Sequence, residues 1–300
     1  MSADELPVRA PTPDWFDWAL DQPRQSRTID VEGCAIHYLL WPEGTADRGG
    51  LLLVHGGGAH ANWWTPIAPF LARDYRVAAI DLSGMGDSGR RESYDSDIRA
   101  KEMRAVIADA GLGGNCTVVG HSFGGFMTTK FGALYGEEIS GAVIVDTPIF
   151  APDEERPTFR RKTPMTTTRV YADFDEALAR FRLMPAQPCD NAFLVEFIGR
   201  HSIRPVEGGW TWKFDAGAMG TRRFGEPFHE YLQALRCRAA LIFGETSKLV
   251  SRDRASYIAS LMGPDAPIIE IPRAQHHLLL DQPLAFVAAL RALLETWRKG

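Results

Sequence analysis

Short apolar runs recur along the chain at Leu51–Val54, Val77–Ile80, Thr117–Val119, Ala142–Val145, Ala239–Phe243 and Ile268–Ile271. Runs this brief and continuous suit strands buried on both faces of a parallel sheet. Helical patterns lie between them. In 98–111, Met103, Val106, Ile107 and Ala110 repeat at helix spacing. At the end, Phe286, Leu290, Leu293 and Trp297 mark one face of a helix with Pro283 in its first turn. Alternation of strand and helix predicts a doubly wound α/β sandwich. Upstream, Thr28–Val31 and Ala35–Leu40 flank a turn at Glu32-Gly33, and the second reads as a strand. Pro13–Leu20 predicts a short helix laying Trp15, Phe16 and Trp18 against the body.

The alternation breaks after Asp146. About 90 residues pass before the next core strand at 239, where roughly 2–6 residues are usual. The segment opens with Thr147-Pro-Ile-Phe-Ala-Pro152, carries a basic run at Arg160-Arg-Lys162, and has apolar positions of its own at Phe193, Leu194 and Phe197. Helices are expected near 174–183, 191–201 and 226–235. The expected organisation is a core of residues 1–146 and 236–300, with a helical cap of residues 147–235 inserted at the C-terminal edge of the sheet, where such folds place their sites.

A chain of 300 residues, 45% of them hydrophobic, can bury one large core. Its net charge of -5 is mild and scattered. No basic tract could neutralise a row of phosphates, which argues against a nucleic-acid partner. The opening MSADELPVRAPTPDWFDWAL has acidic residues and prolines where a secretory signal needs a basic and then an apolar run. No stretch approaches the roughly 20 apolar residues of a membrane span. Cys34, Cys116, Cys189 and Cys237 make no close metal-ligand pair and are sparse for a disulfide scaffold. A reduced, cytoplasmic protein is expected, as a monomer or homodimer.

The sharpest chemical signal is Val118-Val-Gly-His-Ser-Phe-Gly-Gly125. It fits G-x-S-x-G through Gly120, Ser122 and Gly124, with an apolar strand before it and a helical stretch, Phe126–Tyr135, after it. A tight strand-to-helix turn lifts Ser122 into the open, and the helix N-terminus aims N–H groups at developing negative charge. His121 is adjacent to the serine, so its side chain diverges and a structural role is expected. The N–H of Phe123 is the first candidate oxyanion donor. A second comes from His55-Gly-Gly-Gly-Ala-His60, directly after an apolar run: Gly57 is preferred, with Gly58 next. His55 is expected to fix that loop. His60, Trp63 and Trp64 are equally candidates for pocket lining or core.

Ile271-Pro-Arg-Ala-Gln-His-His-Leu278 follows the last strand run and offers a base, for which His276 and His277 compete. Asp281 or Gln282 is expected near the cap of the final helix. A third group should orient the imidazole and balance its charge. A common place is the loop Gly244-Glu-Thr-Ser-Lys-Leu-Val250, but Ser247 stands where aspartate is expected. Asp146, at the end of the strand after the serine turn, is the preferred acid; Glu245, Asp253 and a triad without an acid stay open.

The glycine loop, the GHSFGG turn and AQHHLLLDQP together resemble the α/β-hydrolase superfamily. Asp81-Leu-Ser-Gly-Met-Gly-Asp-Ser-Gly89 is similar to its D-x-x-G-x-G-x-S turn, which is usually structural. The resemblance covers most of 28–145 and 238–298. It implies an α/β-hydrolase fold with a mostly parallel central sheet flanked by helices and an inserted helical cap, and it favours His276 as base. Gln275 replaces the glycine that usually precedes that histidine. Some members, haloalkane dehalogenases among them, carry the acid after the strand that follows the serine turn, which matches Asp146. Those enzymes and the related epoxide hydrolases use an aspartate nucleophile, so Ser122 argues against both activities.

The implied reaction is hydrolysis of a small-molecule carboxylic ester through an acyl-enzyme on Ser122, with His276 as base and Phe123 and Gly57 as oxyanion donors. No metal or organic cofactor is required. Carbon–carbon hydrolysis of a diketone-like substrate is the alternative enzyme reading. A binding protein that has lost catalysis is the third. Phe181, Phe193, Phe197, Trp210 and Trp212 could face an apolar substrate or form the cap's own core. Lys213 and Asp215 could close the cap or sit on its surface, with the surface preferred; Phe159-Arg-Arg-Lys-Thr163 reads as solvated surface or as an attractor of an acidic substrate.

Overall fold

Alternate residues of each central strand face opposite ways, and here both faces are apolar. In the computed structural model, which describes residues 12–42, 48–154, 169–219 and 226–299, this produces one sheet with a core on each side. Leu52, Val54, Val118, Ile144, Leu241 and Phe243 join one core. Their neighbours Leu51, Leu53, Val119, Val143, Val145 and Ile242 join the other.

The sheet is built from β1 (Gln25–Val31), β2 (Cys34–Trp41), β3 (Gly50–Val54), β4 (Arg76–Ile80), β5 (Thr117–His121), β6 (Gly141–Val145), β9 (Arg238–Gly244) and β10 (Ile268–Ile271). Their spatial order is β1-β2-β4-β3-β5-β6-β9-β10. β2 runs antiparallel to both β1 and β4, and every other neighbouring pair is parallel. The expected mostly parallel sheet is present.

On one face lie α3 (Ser96–Asp109), α4 (Phe123–Tyr135), α7 (Phe228–Gln233) and α8 (Arg252–Met262). On the other lie α2 (Ala68–Ala72), α9 (Leu278–Asp281) and α10 (Pro283–Lys299). Asp95 starts α3 by accepting from Ile98 N at 2.7 Å, satisfying one orphan N–H of the first turn. Phe286, Leu290 and Leu293 of α10 are buried as their spacing predicts. Among the described residues no helix is long and apolar enough to cross a membrane.

Between β6 and β9 the chain carries α5 (Phe174–Ala179), α6 (Ala192–His201), the hairpin β7 (Ile203–Val206) and β8 (Gly209–Trp212), and then α7. The hairpin corrects the all-helical reading of this stretch. Val206 pairs with Gly209, leaving Glu207-Gly208 as a two-residue turn, and Gly208 takes φ +81°. Trp210 meets Phe174 edge-on and Trp212 meets Tyr171 edge-on, so both tryptophans serve a small core of their own. α7 instead sends Phe228 and Leu232 into the main core beside Phe126. The basic run at Arg160-Arg-Lys162 and its neighbours Phe159 and Thr163 lie outside the described residues.

Lys213 and Asp215 are not free surface residues. Lys213 Nζ meets Asp87 at 2.7 Å and its side chain is only 13% exposed. Asp215 accepts from the Tyr94 hydroxyl at 2.9 Å and its N–H donates to the Gly84 carbonyl at 2.7 Å. The end of β8 is therefore tied to the Asp81–Gly89 turn. That turn is held by Asp81, which accepts from Ala61 N (2.6 Å), Asp87 N (2.9 Å) and His37 Nδ1 (2.7 Å). Burial alone would raise the Asp81 pKa. The hydrogen bond and charge of His37 outweigh it and hold the carboxyl at about 2.

α1 (Asp14–Asp21) lies where a helix was expected. Phe16 is fully buried against Phe193 and Phe197, and Trp18 lies under the Arg73 guanidinium.

Candidate active site

The parallel strands end in a staggered register. His121 pairs with Val145, and Val145 with Ile242. The next residue of each chain turns out of the sheet: Ser122 N donates to Val145 O at 2.8 Å, and Asp146 N to Ile242 O at 2.9 Å. Ser122 and Asp146 thus stand at adjacent strand ends, each displaced toward the edge that carries β10. Both adopt left-handed backbone, φ 53° and 45°. Conformations of this kind cost about 1–3 kcal/mol and collect at functional sites.

The glycines around Ser122 are required by contact. A Cβ on Gly120 would strike the Gly124 carbonyl and Thr128 Oγ1, and one on Gly124 would strike the carbonyls of Val54 and His55. They let α4 start close against the ends of β3 and β5. Thr147 Oγ1 ties the turn down by donating to the Ser122 carbonyl at 2.9 Å.

The loop after β10 brings His276 over Ser122. His276 Nε2 lies 3.0 Å from Ser122 Oγ, and Nδ1 lies 2.8 Å from Asp146 Oδ1. Asp146 and His276 are buried. Carboxylate oxygen only accepts, so Nδ1 carries the proton and the Nε2 lone pair faces the serine. Asp146 Oδ2 accepts from Gly244 N at 2.9 Å, and Oδ1 accepts a second bond from Ser247 Oγ at 2.7 Å. Ser247, standing where aspartate was expected, is a hydrogen-bond donor to the acid. Glu245 turns away and accepts from Arg273 N at 2.7 Å. Asp253 lies in the first turn of α8.

His277 is the other candidate base; it lines the same pocket, but its Nε2 donates to the Pro185 carbonyl at 3.1 Å and its N–H to Gln187 Oε1 at 3.0 Å. Burial, aided by repulsion from His276, lowers its pKa to about 3. Asp281, which with Gln282 directly precedes the last helix as expected, also orders the histidine loop. It accepts from Gln275 N at 2.7 Å and from Gln187 Nε2 at 2.9 Å. Neither Asp281 nor Gln187 carries a sequence motif that marks this role.

On the β3 side, His55 Nδ1 donates to the Gly56 carbonyl at 2.7 Å, and its Nε2 accepts from Leu82 N at 3.1 Å. Ala59 N also donates to the Gly56 carbonyl, at 3.2 Å. The carbonyl is turned into the loop, and Gly57 and Gly58 line the pocket. Gly57 N–H has no partner among the described residues. Phe123 N–H belongs to the first turn of α4.

The pocket is partly open, about 430 Å³ when the space that runs out to solvent is included. Its lining includes Gly57, Trp63, Ser122, Phe181, Met184 and His276. Trp63 is therefore a lining residue, whereas Trp64 is fully buried in the core against Phe286. Phe193 and Phe197 pack on α1, away from the lining.

His60 lies beneath the pocket, its Nε2 2.9 Å from Ser202 Oγ. Burial lowers its pKa from the usual 6.5 to about 3. The folded state therefore keeps His60 neutral while the unfolded chain binds a proton below pH 6.5. Its contribution to stability is intact above pH 6.5 and declines by about 1.4 kcal/mol per pH unit as the pH falls toward 3. Urea unfolding of the protein and of His60→Gln, run from pH 7 to pH 5, should show the variant losing less stability on acidification. Parallel pH profiles would refute this.

Residues 51–290 match the alpha/beta hydrolase family. The chain is 25% identical over 273 residues to Esterase Rv0045c of Mycobacterium tuberculosis, covering 89% of this chain and 88% of that protein. It is 25% identical to pimeloyl-(acyl-carrier protein) methyl ester esterase of Chromobacterium violaceum, covering 82% and 94%. Among solved structures, E-2-(acetamidomethylene)succinate hydrolase superposes with a TM-score of 0.76 at 21% identity, covering 91% of this chain and 100% of the other; this shows the fold alone. The family match runs from the first parallel strand into the last helix and takes in every loop described around the pocket: the chain belongs to the alpha/beta hydrolase family.

Proposed function

We propose that the protein is a serine hydrolase of small-molecule carboxylic esters, working through an acyl-enzyme on Ser122. The observation that carries this reading is the unbroken hydrogen-bond line from Asp146 through His276 to Ser122, 2.8 and 3.0 Å long. The names of the two relatives given above, both esterases, support the choice of an ester substrate.

His276 Nε2 takes the Ser122 proton as Oγ attacks the acyl carbon. Negative charge develops on the carbonyl oxygen, and in this reading the N–H groups of Phe123 and Gly57 receive it. Asp146 keeps the imidazole in the Nδ1–H tautomer and offsets its charge once protonated. His276 then protonates the departing alkoxide. It next activates water, which releases the acid and restores Ser122. Trp63, Phe181 and Met184 give the pocket apolar walls suited to an apolar acyl or alcohol group. The stretch carrying α5, α6 and the β7–β8 hairpin acts as a cap in this reading, with the Lys213–Asp87 and Asp215–Tyr94 contacts holding it to the turn after β4, while α7 belongs to the core.

Exposure to a fluorophosphonate probe, followed by mass spectrometry, tests the assignment. An adduct confined to Ser122 and lost in His276→Ala is expected. Ester and diketone panels then separate ester from carbon–carbon cleavage. A folded protein that resists labelling and turns over neither panel would be a binding protein, and the hydrolase reading would fall.

A further inference from the structure

Three imidazoles share one corner of the pocket. One ring nitrogen from each of His121, His276 and His277 lies within 4.8 Å of the other two, and all three residues are buried. Every ring already has one nitrogen engaged with an oxygen that only accepts. His121 Nε2 donates to the His276 carbonyl at 2.9 Å, His277 Nε2 to the Pro185 carbonyl at 3.1 Å, and His276 Nδ1 to Asp146 at 2.8 Å. The proton of each neutral ring is thereby fixed, and the opposite nitrogen bears a lone pair. Those nitrogens are His121 Nδ1, His277 Nδ1 and His276 Nε2.

Two of the three have no counterpart. His121 Nδ1 and His277 Nδ1 are buried and take no hydrogen bond among the described residues. Buried acceptors left unpaired are uncommon and costly. His276 Nε2 faces only the Ser122 hydroxyl. Imidazoles whose second nitrogen donates to a carbonyl or carboxylate are the usual ligands of first-row divalent ions, because that bond fixes the tautomer and raises ligand basicity.

We propose that His121, His276 and His277 form a binding site for a borderline transition-metal ion such as Zn²⁺, which blocks the pocket when bound. Zn–N bonds of about 2.0–2.1 Å in a tetrahedron place ligand nitrogens roughly 3.4 Å apart, so the rings tilt inward to close on the ion. Nitrogen ligands select Zn²⁺, Cu²⁺ or Ni²⁺ over Mg²⁺ and Ca²⁺, which prefer oxygen. Ligation takes His276 Nε2 away from Ser122, so the ion acts as a reversible inhibitor. The inhibition rests on the proposed hydrolase reading; the binding does not. A second cluster, His37 with Asp81 and Asp87, offers no such site. Its imidazole bonds Asp81 on one side and Ser26 on the other, and Asp87 is paired with Lys213.

The test uses the full chain carrying Ser122→Ala, so that binding is read without activity. Zn²⁺ affinity is measured by competition with a chromogenic chelator, and Co²⁺ absorption reports coordination geometry. One Zn²⁺ per chain, a tetrahedral Co²⁺ spectrum and indifference to Mg²⁺ are expected. His277→Gln and His121→Gln, each checked for folding by circular dichroism, should weaken Zn²⁺ binding at least tenfold. In the unsubstituted protein, Zn²⁺ should suppress ester hydrolysis and EDTA should restore it. Absence of stoichiometric binding, or unchanged affinity in both folded variants, overturns the site. Binding that depends on both histidines in a protein with no ester activity upholds the site and removes the hydrolase reading.

Discussion

Ser122→Ala should lower kcat/KM for ester substrates by about 10⁴–10⁶-fold and leave the fold intact. The Ser122 side chain makes no helix-capping bond, and the partner shown for its Oγ is His276 Nε2. Truncation therefore removes the nucleophile without opening a cavity in either core. The left-handed backbone at this position is equally available to alanine, so the strain is unchanged. His276→Ala should cost a similar factor. The double variant should be no worse than either single one, because nucleophile and base act as a unit. Steady-state kinetics with an activated ester, alongside thermal unfolding, checks this. Residual activity within tenfold of the parent would show that the reaction does not pass through Ser122.

Asp146→Asn should lower kcat by about 10⁴-fold. Asp146 presently accepts from Gly244 N, Ser247 Oγ and His276 Nδ1. In the variant, the amide oxygen keeps the backbone bond to Gly244. The amide NH₂ then faces His276 and favours the ring with its proton on Nε2. That ring cannot accept the Ser122 proton. Ser247→Ala removes one donor to the carboxylate and should cost roughly tenfold, the size of one hydrogen bond to a charged group. Glu245→Gln should stay within about twofold of the parent, because Glu245 is bonded to Arg273 N and lies off the line. A larger loss in Glu245→Gln than in Asp146→Asn would reassign the acid.

The strands at Leu51, Val77, Thr117, Ala142, Ala239 and Ile268 were legible because a residue run apolar on both alternating faces has few other places to go. The serine turn was legible because its glycines answer close contacts with backbone and Thr128. The β7–β8 hairpin was missed: two four-residue strands are too short for a periodic signal, and Trp210 and Trp212 read equally as helix core or pocket wall. For Lys213 and Asp215 the sequence left surface and closing contact both open, because their partners, Asp87 and Tyr94, lie over a hundred positions away. Asp281 stands beside the cap of the last helix as local rules expect, but no local rule shows that its carboxylate turns back to Gln275 N and Gln187.

Sequence by itself determined the alternating strand and helix pattern, the glycine-framed Ser122 and the glycine loop after β3. All three follow from local sterics and from side-chain period, which a single chain segment carries. It also narrowed the base to two adjacent histidines and the acid to a few carboxylates. Only the tertiary structure decided among them. The β5–β6–β9 register sets Asp146 at a strand end from which Oδ1 reaches His276 Nδ1, and the Asp281–Gln187 contacts hold the loop in which His276 meets the serine and His277 meets Pro185. Strand register and loop packing are pairings between distant segments, so no local pattern encodes which carboxylate meets which imidazole.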